Sequence, residues 1–361
     1  MFSYSKAYVL LALAGTIFLG NLRASSIDAI YAFGDSLSDV GNAYIATGDT
    51  EPGPPYYNGQ FSNGNVWVQD LASNLALAPL KPSLAGGTDY AVGSAQTGTT
   101  LFNPTAGPAD LLSYQVPAFE AANPGGANPS GLYTIWIGSN DLAAIPAGAT
   151  LAQIGTDLAD IAGNIDTAIN DLALDGAKNF LVVTVPNLGD TPEALAEGPA
   201  IVADLSELSA SFDSTLVYGS GPVPSLSTLA AGDSVNISVL NAYALTDAIV
   251  SNPGTYGFTN VTDPCLTGAV NYNGGTVCAN PDQYLYWDSS GHPTAAANEI
   301  VAAAGQAVVT PEPALTSLIA AGLFGMFFVR RRHSRYQRAP LSTQASAAAR
   351  NHRFPIPNIL G

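Results

Sequence analysis

The chain has 361 residues, 47% of them hydrophobic, which is enough to bury a large core, and it carries 28 acidic against 11 basic side chains. Between Ser25 and Thr310 only Lys81 and Lys178 oppose 27 acidic residues. A body this acidic repels phosphate backbones and excludes a nucleic-acid partner, and two cysteines without a histidine cluster make no metal site.

Residues 1–24 read as a secretory signal: Lys6 gives the positive start, 7–19 the apolar stretch, and Leu22-Arg23-Ala24 a cleavage site. One α/β domain is expected over 25–310. Its first buried strand, 29–33, runs into Gly34-Asp35-Ser36-Leu37-Ser38-Asp39. A serine leaving such a strand at the start of a helix is placed as an exposed nucleophile, and unpaired N–H groups there can hold an oxyanion. Glycine- and proline-rich loops follow at 50–57, where Pro55-Tyr56-Tyr57 reads as an exposed aromatic stretch, and at 102–108 and 123–131.

A second strand, 132–137, leads into Gly138-Ser139-Asn140-Asp141, so that the Asn140 amide can point into the same cleft as Ser36. Leu151, Ile154, Leu158, Ile161, Ile165, Ile169 and Leu172 recur at helical spacing, and Gly176 ends that helix. Strands at 180–185 and 235–240, with helices at 199–216 and 294–308, complete an alternation that predicts a parallel sheet covered on both faces. Site residues then belong at the carboxyl ends of the strands.

Cys265 and Cys278 are the only cysteines, and in an exported protein they are most simply a disulfide. Beyond them lies Asp288-Ser289-Ser290-Gly291-His292-Pro293. Of three histidines, His333 and His352 fall outside the predicted domain, so a base for Ser36 is His292, with Asp288 as the acceptor of its other ring N–H.

Residues 311–332 begin with Pro311-Glu312-Pro313, continue in a 16-residue apolar run, and end in Arg330-Arg331-Arg332. As a helix the run spans about 24 Å, a membrane segment extended by snorkelling arginines. The arrangement resembles the PEP-CTERM sorting signal, which implies exosortase-type processing machinery and a cell-surface or matrix destination. Such signals normally end soon after the arginines; here a polar tail, 333–361, follows and is expected to be disordered.

With these segments assembled, the chain resembles the GDSL lipases/esterases of the SGNH hydrolase superfamily, particularly their secreted lecithinase/haemolysin-like branch. The resemblance runs over about 27–304 and includes Gln60-Phe61-Ser62-Asn63-Gly64, Tyr90-Ala91-Val92-Gly93-Ser94-Ala95 and Val185-Pro186-Asn187-Leu188-Gly189. It implies a three-layer α/β/α sandwich without cofactor. It also implies Ser36 as nucleophile, His292 as base, and an oxyanion hole from Ser36, the Gly93 segment and Asn140.

Two positions depart from the family pattern. Gly93-Ser94-Ala95 stands where the family has Gly-Gly-Ala, leaving either the Gly93 or the Ser94 N–H as donor. Asp288 lies four rather than three residues before His292, with Ser289 in the usual place. Either the turn bulges to let Asp288 reach the imidazole, or the site is a Ser-His dyad with a weaker base. The expected activity is secreted ester hydrolysis on a lipid or small-molecule ester. A polysaccharide O-deacetylase and a non-catalytic surface or glycan-binding protein are the alternatives.

Overall fold

The computed structural model describes residues 27–98, 109–146 and 148–310; the predicted signal segment, the loop at 102–108, and the membrane segment, sorting signal and tail lie outside the described residues. Among the described residues no helix is long and apolar enough to cross a membrane.

The chain enters with β1 (Ala29–Gly34), then a short α1 (Asn42–Ala46), α2 (Trp67–Asn74) and α3 (Val116–Ala122). Next come β2 (Gly131–Trp136), α4 (Ser139–Ala144) and the long α5 (Leu151–Asp175). After β3 (Asn179–Val183) stand α6 (Pro192–Glu197), α7 (Pro199–Tyr218) and α8 (Leu226–Asp233). β4 (Asn236–Leu240) and α9 (Ala242–Ser251) lead to a small ribbon, β5 (Leu266–Thr267) and β6 (Thr276–Val277), and the chain closes on α10 (Ala295–Val309).

The four main strands pair in the order β1-β2-β3-β4, all parallel, with Phe33 opposite Ile135 and Ile135 opposite Val182. Side chains alternate across the pleat, so Ile30 and Ala32 serve one face and Phe33 the other. On the first face Trp67, Val68 and Leu71 of α2 and Val301 and Ala302 of α10 pack over Leu132, Trp136 and Leu181. On the second, α3, α5, α7 and α8 cover Tyr133, Ile135, Phe180 and Val182. The result is the expected three-layer α/β/α sandwich. Every β2 residue is buried because it lies between neighbours and under helices on both faces, whereas the edge strand β4 is mostly half-exposed.

α5 begins where Thr150 accepts from the Gln153 N–H and ends at Gly176, whose φ of 118° is one a side chain would strain. Ile161, Ile165, Ile169 and Leu172 are buried along one stripe, each contributing about 1.5–3 kcal/mol. Leu151, read from spacing as the start of that stripe, is instead 88% exposed. The periodicity persists beyond the part of the helix that has a core beneath it, and fully buried contact starts at Leu158.

Candidate active site

The turn after β1 is held from both sides. The Gly34 N–H donates to Gln115 Oε1 at 2.9 Å and Gln115 Nε2 donates back to the Gly34 carbonyl at 2.8 Å. A side chain at Gly34 would collide with the Trp136 carbonyl, so strand and turn approach as closely as glycine permits. The Ser38 and Asp39 N–H groups return to the Asp35 carbonyl at 3.0 and 3.1 Å, and the Leu37 N–H goes to Asp35 Oδ1 at 3.0 Å. This is a single turn; the helix expected directly after Ser36 begins only at Asn42, as α1. Within the turn the Ser36 N–H has no acceptor among the described residues.

Ser36 Oγ lies 2.8 Å from His292 Nε2, and His292 Nδ1 lies 2.7 Å from Asp288 Oδ2. A carboxylate only accepts, so Nδ1 carries the proton and Nε2 is left to accept from the Ser36 hydroxyl. The four-residue spacing is absorbed by a loop wrapped around the carboxylate. The N–H groups of Ser290 and His292 point at Asp288 Oδ1 at 3.1 and 3.4 Å, and Gly291 turns the chain at φ 91°. Asp288 therefore reaches the imidazole despite Ser289 holding the family's usual position.

Two flanking segments fix this loop. The Phe61 ring sits 5.1 Å from the imidazole, the Ser62 hydroxyl donates to the Pro293 carbonyl at 2.9 Å, and Asn63 Oδ1 accepts the Ala295 N–H at 2.8 Å. Tyr56, read from sequence as part of an exposed aromatic stretch, is turned inward and only 5% exposed; its hydroxyl donates to Asp288 Oδ2 at 2.8 Å. Tyr57 alone of that pair faces solvent, at 44% exposure. Cys265 and Cys278 are joined, and their ribbon binds the strand leading to Asp288, with the Cys265 N–H on the Tyr286 carbonyl at 3.0 Å. The same ribbon holds the Tyr56 loop through the Gly274 N–H on the Pro54 carbonyl at 2.8 Å.

One expected oxyanion donor is corrected. The Gly93 N–H donates to buried Asp39 Oδ2 at 2.8 Å and is not free for a ligand. The glycine is needed for space, since a Cβ there would lie 2.5 Å from Phe61 Cε2. The next residue, Ser94, adopts φ 65°, lines the cavity, and has an N–H without acceptor among the described residues. Asn140 spends one amide hydrogen on the Ala95 carbonyl at 2.9 Å and keeps the other. Three donors thus remain beside Ser36: its own N–H, that of Ser94, and the second hydrogen of Asn140.

Burial lowers the affinity of His292 for a proton, but the Asp288 charge and hydrogen bond, aided by Asp35, outweigh it and raise the pKa above 6.5. For Asp288 burial acts upward, and the His292 charge with the hydrogen bonds of His292 and Tyr56 overcome it, so the carboxyl is held below 3.8. Asp35 is pushed up to about 7, chiefly by burial, and its Oδ2 has no partner among the described residues. Among the described residues no three His, Cys, Asp or Glu side chains converge as a metal ion requires.

Tyr56, Gln115, Asp35 and Asp39 are the contributors that motif reading passed over. Asp35 and Asp39 lie inside the quoted hexapeptide and were visible as acids beside the serine. Tyr56 and Gln115 reach the site from 232 and 81 residues away, with no local pattern to mark them.

A profile of the family described as GDSL-like Lipase/Acylhydrolase matches residues 30–304. The thermolabile hemolysin of Vibrio parahaemolyticus is 28% identical over 78% of this chain, and the match spans 63% of that protein. A phosphatidylcholine-sterol acyltransferase of Aeromonas hydrophila is 32% identical over 46% of this chain and 47% of its own length. The plant protein named GDSL esterase/lipase At1g29660, from Arabidopsis thaliana, is 27% identical over 76% of this chain and 86% of its own. The chain thus covers less than two thirds of the two bacterial relatives.

Proposed function

Because the chain belongs to the GDSL-like lipase/acylhydrolase family, we propose that it is a serine ester hydrolase and that Ser36, His292 and Asp288 form its catalytic triad. The carrying observation is the unbroken relay Ser36 Oγ, His292 Nε2, His292 Nδ1, Asp288 Oδ2, with links of 2.8 and 2.7 Å.

His292 Nε2 takes the Ser36 proton as Oγ bonds to the ester carbonyl carbon, and the carbonyl oxygen becomes an oxyanion. The Ser36 N–H, the Ser94 N–H and the free Asn140 hydrogen are the donors available to that charge, and loss of one such donor costs about 2.7–4 kcal/mol of transition-state stabilisation. His292 then delivers its proton to the alcohol oxygen, the C–O bond breaks, and an acyl-Ser36 ester remains. Water loses a proton to His292, adds to the acyl carbon, and releases the carboxylic acid as Ser36 recovers its proton.

The export signal at 1–24 and the sorting segment at 311–332, processed by an exosortase-type enzyme, make the cell surface or matrix the proposed destination. The similarity to a protein named a thermolabile hemolysin supports an extracellular setting. The motives for the two alternatives weaken: Tyr56 is no exposed glycan platform, and Asp288 is not lost from the imidazole.

The test compares the protein with Ser36→Ala and Asp288→Asn on p-nitrophenyl esters from acetate to palmitate at about pH 8. Turnover abolished by the first and reduced about 10⁴-fold by the second is expected. A folded protein inert on every ester, or Ser36→Ala retaining full turnover, would refute the reading.

A further inference from the structure

Ser36 opens into a cavity of about 140 Å³ that is polar at one end and apolar at the other. The polar end holds Ser36, His292, Ser94 and Asn140. The apolar end lies between α9 and α10. Ala242, Leu245 and Ile249 recur at the three- and four-residue spacing of one helical face on α9, and Ala297 and Val301 do so on α10. Trp136, Leu285 and Tyr286 line the same cavity, as do the polar residues Asn187, Thr191 and Thr246. Most of these residues are buried, with Ala242, Ile249, Ala297 and Trp136 each at most 3% exposed, so the slot is recessed and opens to solvent on one side.

We propose that this slot is the acyl-chain site and that it selects chains of about six to eight carbons, an inference that rests on the ester-hydrolase reading above. The size follows from comparison: an apolar protein cavity of about 150 Å³ stays dry and takes up benzene, a six-carbon ligand. The volume includes the polar end, so the carbonyl and chain of a hexanoyl to octanoyl group together fill a space of that order, whereas palmitoyl must leave most of its methylenes outside. The space exists because both helices carry alanine, at 242 and 297, where larger side chains would close it.

The acyl chain and not the alcohol is the occupant for a mechanistic reason. The alcohol receives its proton from His292 and must depart before water attacks, which favours the open side of the site. The acyl chain stays bonded to Ser36 between the two steps and is the part a recessed slot beside Ser36 can hold.

The test is kcat/KM of the full protein on p-nitrophenyl esters of increasing acyl length, beside acetate esters of 1-alkanols of increasing alcohol length. Each added methylene should raise kcat/KM about fourfold as it is buried, levelling off near hexanoate to octanoate, while the alcohol series stays flat. Ala297→Phe should lower the hexanoate-to-acetate ratio more than about tenfold, about 1.4 kcal/mol. A ratio within one preparation is independent of the fraction folded. Ile249→Ala, which enlarges the slot, should move the optimum to longer chains. A flat acyl profile, chain-length dependence only in the alcohol series, or ratios unchanged in both variants would overturn the assignment while leaving the hydrolase standing. No turnover on any ester sinks the hydrolase reading and this inference together.

Discussion

Replacing Tyr56 by phenylalanine removes one hydroxyl, that on Asp288 Oδ2 at 2.8 Å, while keeping the ring against Phe61, Tyr272 and Trp287 at 6.4, 6.0 and 6.0 Å. Asp288 keeps the His292 ring and the Ser290 N–H as donors. A hydrogen bond to a charged group is worth about 1.5–3 kcal/mol, so its loss moves the Asp288 pKa up. That carboxyl starts below 3.8 and so stays ionised at neutral pH. Its charge, no longer shared with the tyrosine, acts more fully on the imidazole and raises the His292 pKa further. With an ordinary net hydrogen-bond energy as the guide, about 0.5–1.5 kcal/mol of that interaction is at stake. The assay is kcat/KM against pH from about 5.5 to 9.5 for both proteins, with urea unfolding alongside. The acid limb should lie above 6.5 in the parent and move up again in Tyr56→Phe, with only a severalfold loss on the alkaline plateau. Superimposable limbs with reduced stability would leave Tyr56 a packing residue. A limb moving down would mean that Asp288 takes up a proton, refuting the argument.

Three further outcomes follow from the same geometry. Gly93→Ala places a Cβ 2.5 Å from Phe61, which packs on His292, so about 1–3 kcal/mol of stability and much of kcat should be lost. Adding Phe61→Leu should restore the stability in urea unfolding, and no recovery would argue against the clash. Stability should fall as pH rises between about 4 and 7. Buried Asp35, Asp39 and Asp89, at about 7, about 6 and well above 3.8, hold protons when folded that the unfolded chain has released. Their stabilising effect is complete below the unfolded pKa and lost as pH rises through the folded ones. Asp288, shifted the other way, costs stability only below 3.8. Calorimetry should therefore find a higher Tm near pH 5 than near pH 8, opposite to activity; the reverse order would refute the assignment. Reducing the Cys265–Cys278 bridge should lower stability by about 3 kcal/mol and depress kcat through the Tyr56 and Asp288 loops; unchanged kcat would separate the ribbon from the site.

Much of this protein is local information. Buried parallel strands are short apolar runs between turn residues, so the sequence placed β1, β2, β3 and β4 within about two residues of their observed bounds. The single histidine of the body left one base to pair with the serine that β1 delivers to the carboxyl edge of the parallel sheet. Tertiary structure decided what depends on partners far along the chain. Spacing could not tell whether Asp288 reaches His292, because that rests on Gly291 turning and on two N–H groups wrapping the carboxylate. Nor could a motif show that the Gly93 N–H is already taken by Asp39 while the Ser94 N–H has no acceptor among the described residues. Tyr56 reads as a surface aromatic until the disulfide ribbon folds its loop inward onto a residue 232 positions away. A side chain's type and spacing determine which local structure it favours; which polar groups remain unpaired, and so free to act on a substrate, is settled only when every buried donor has found its acceptor.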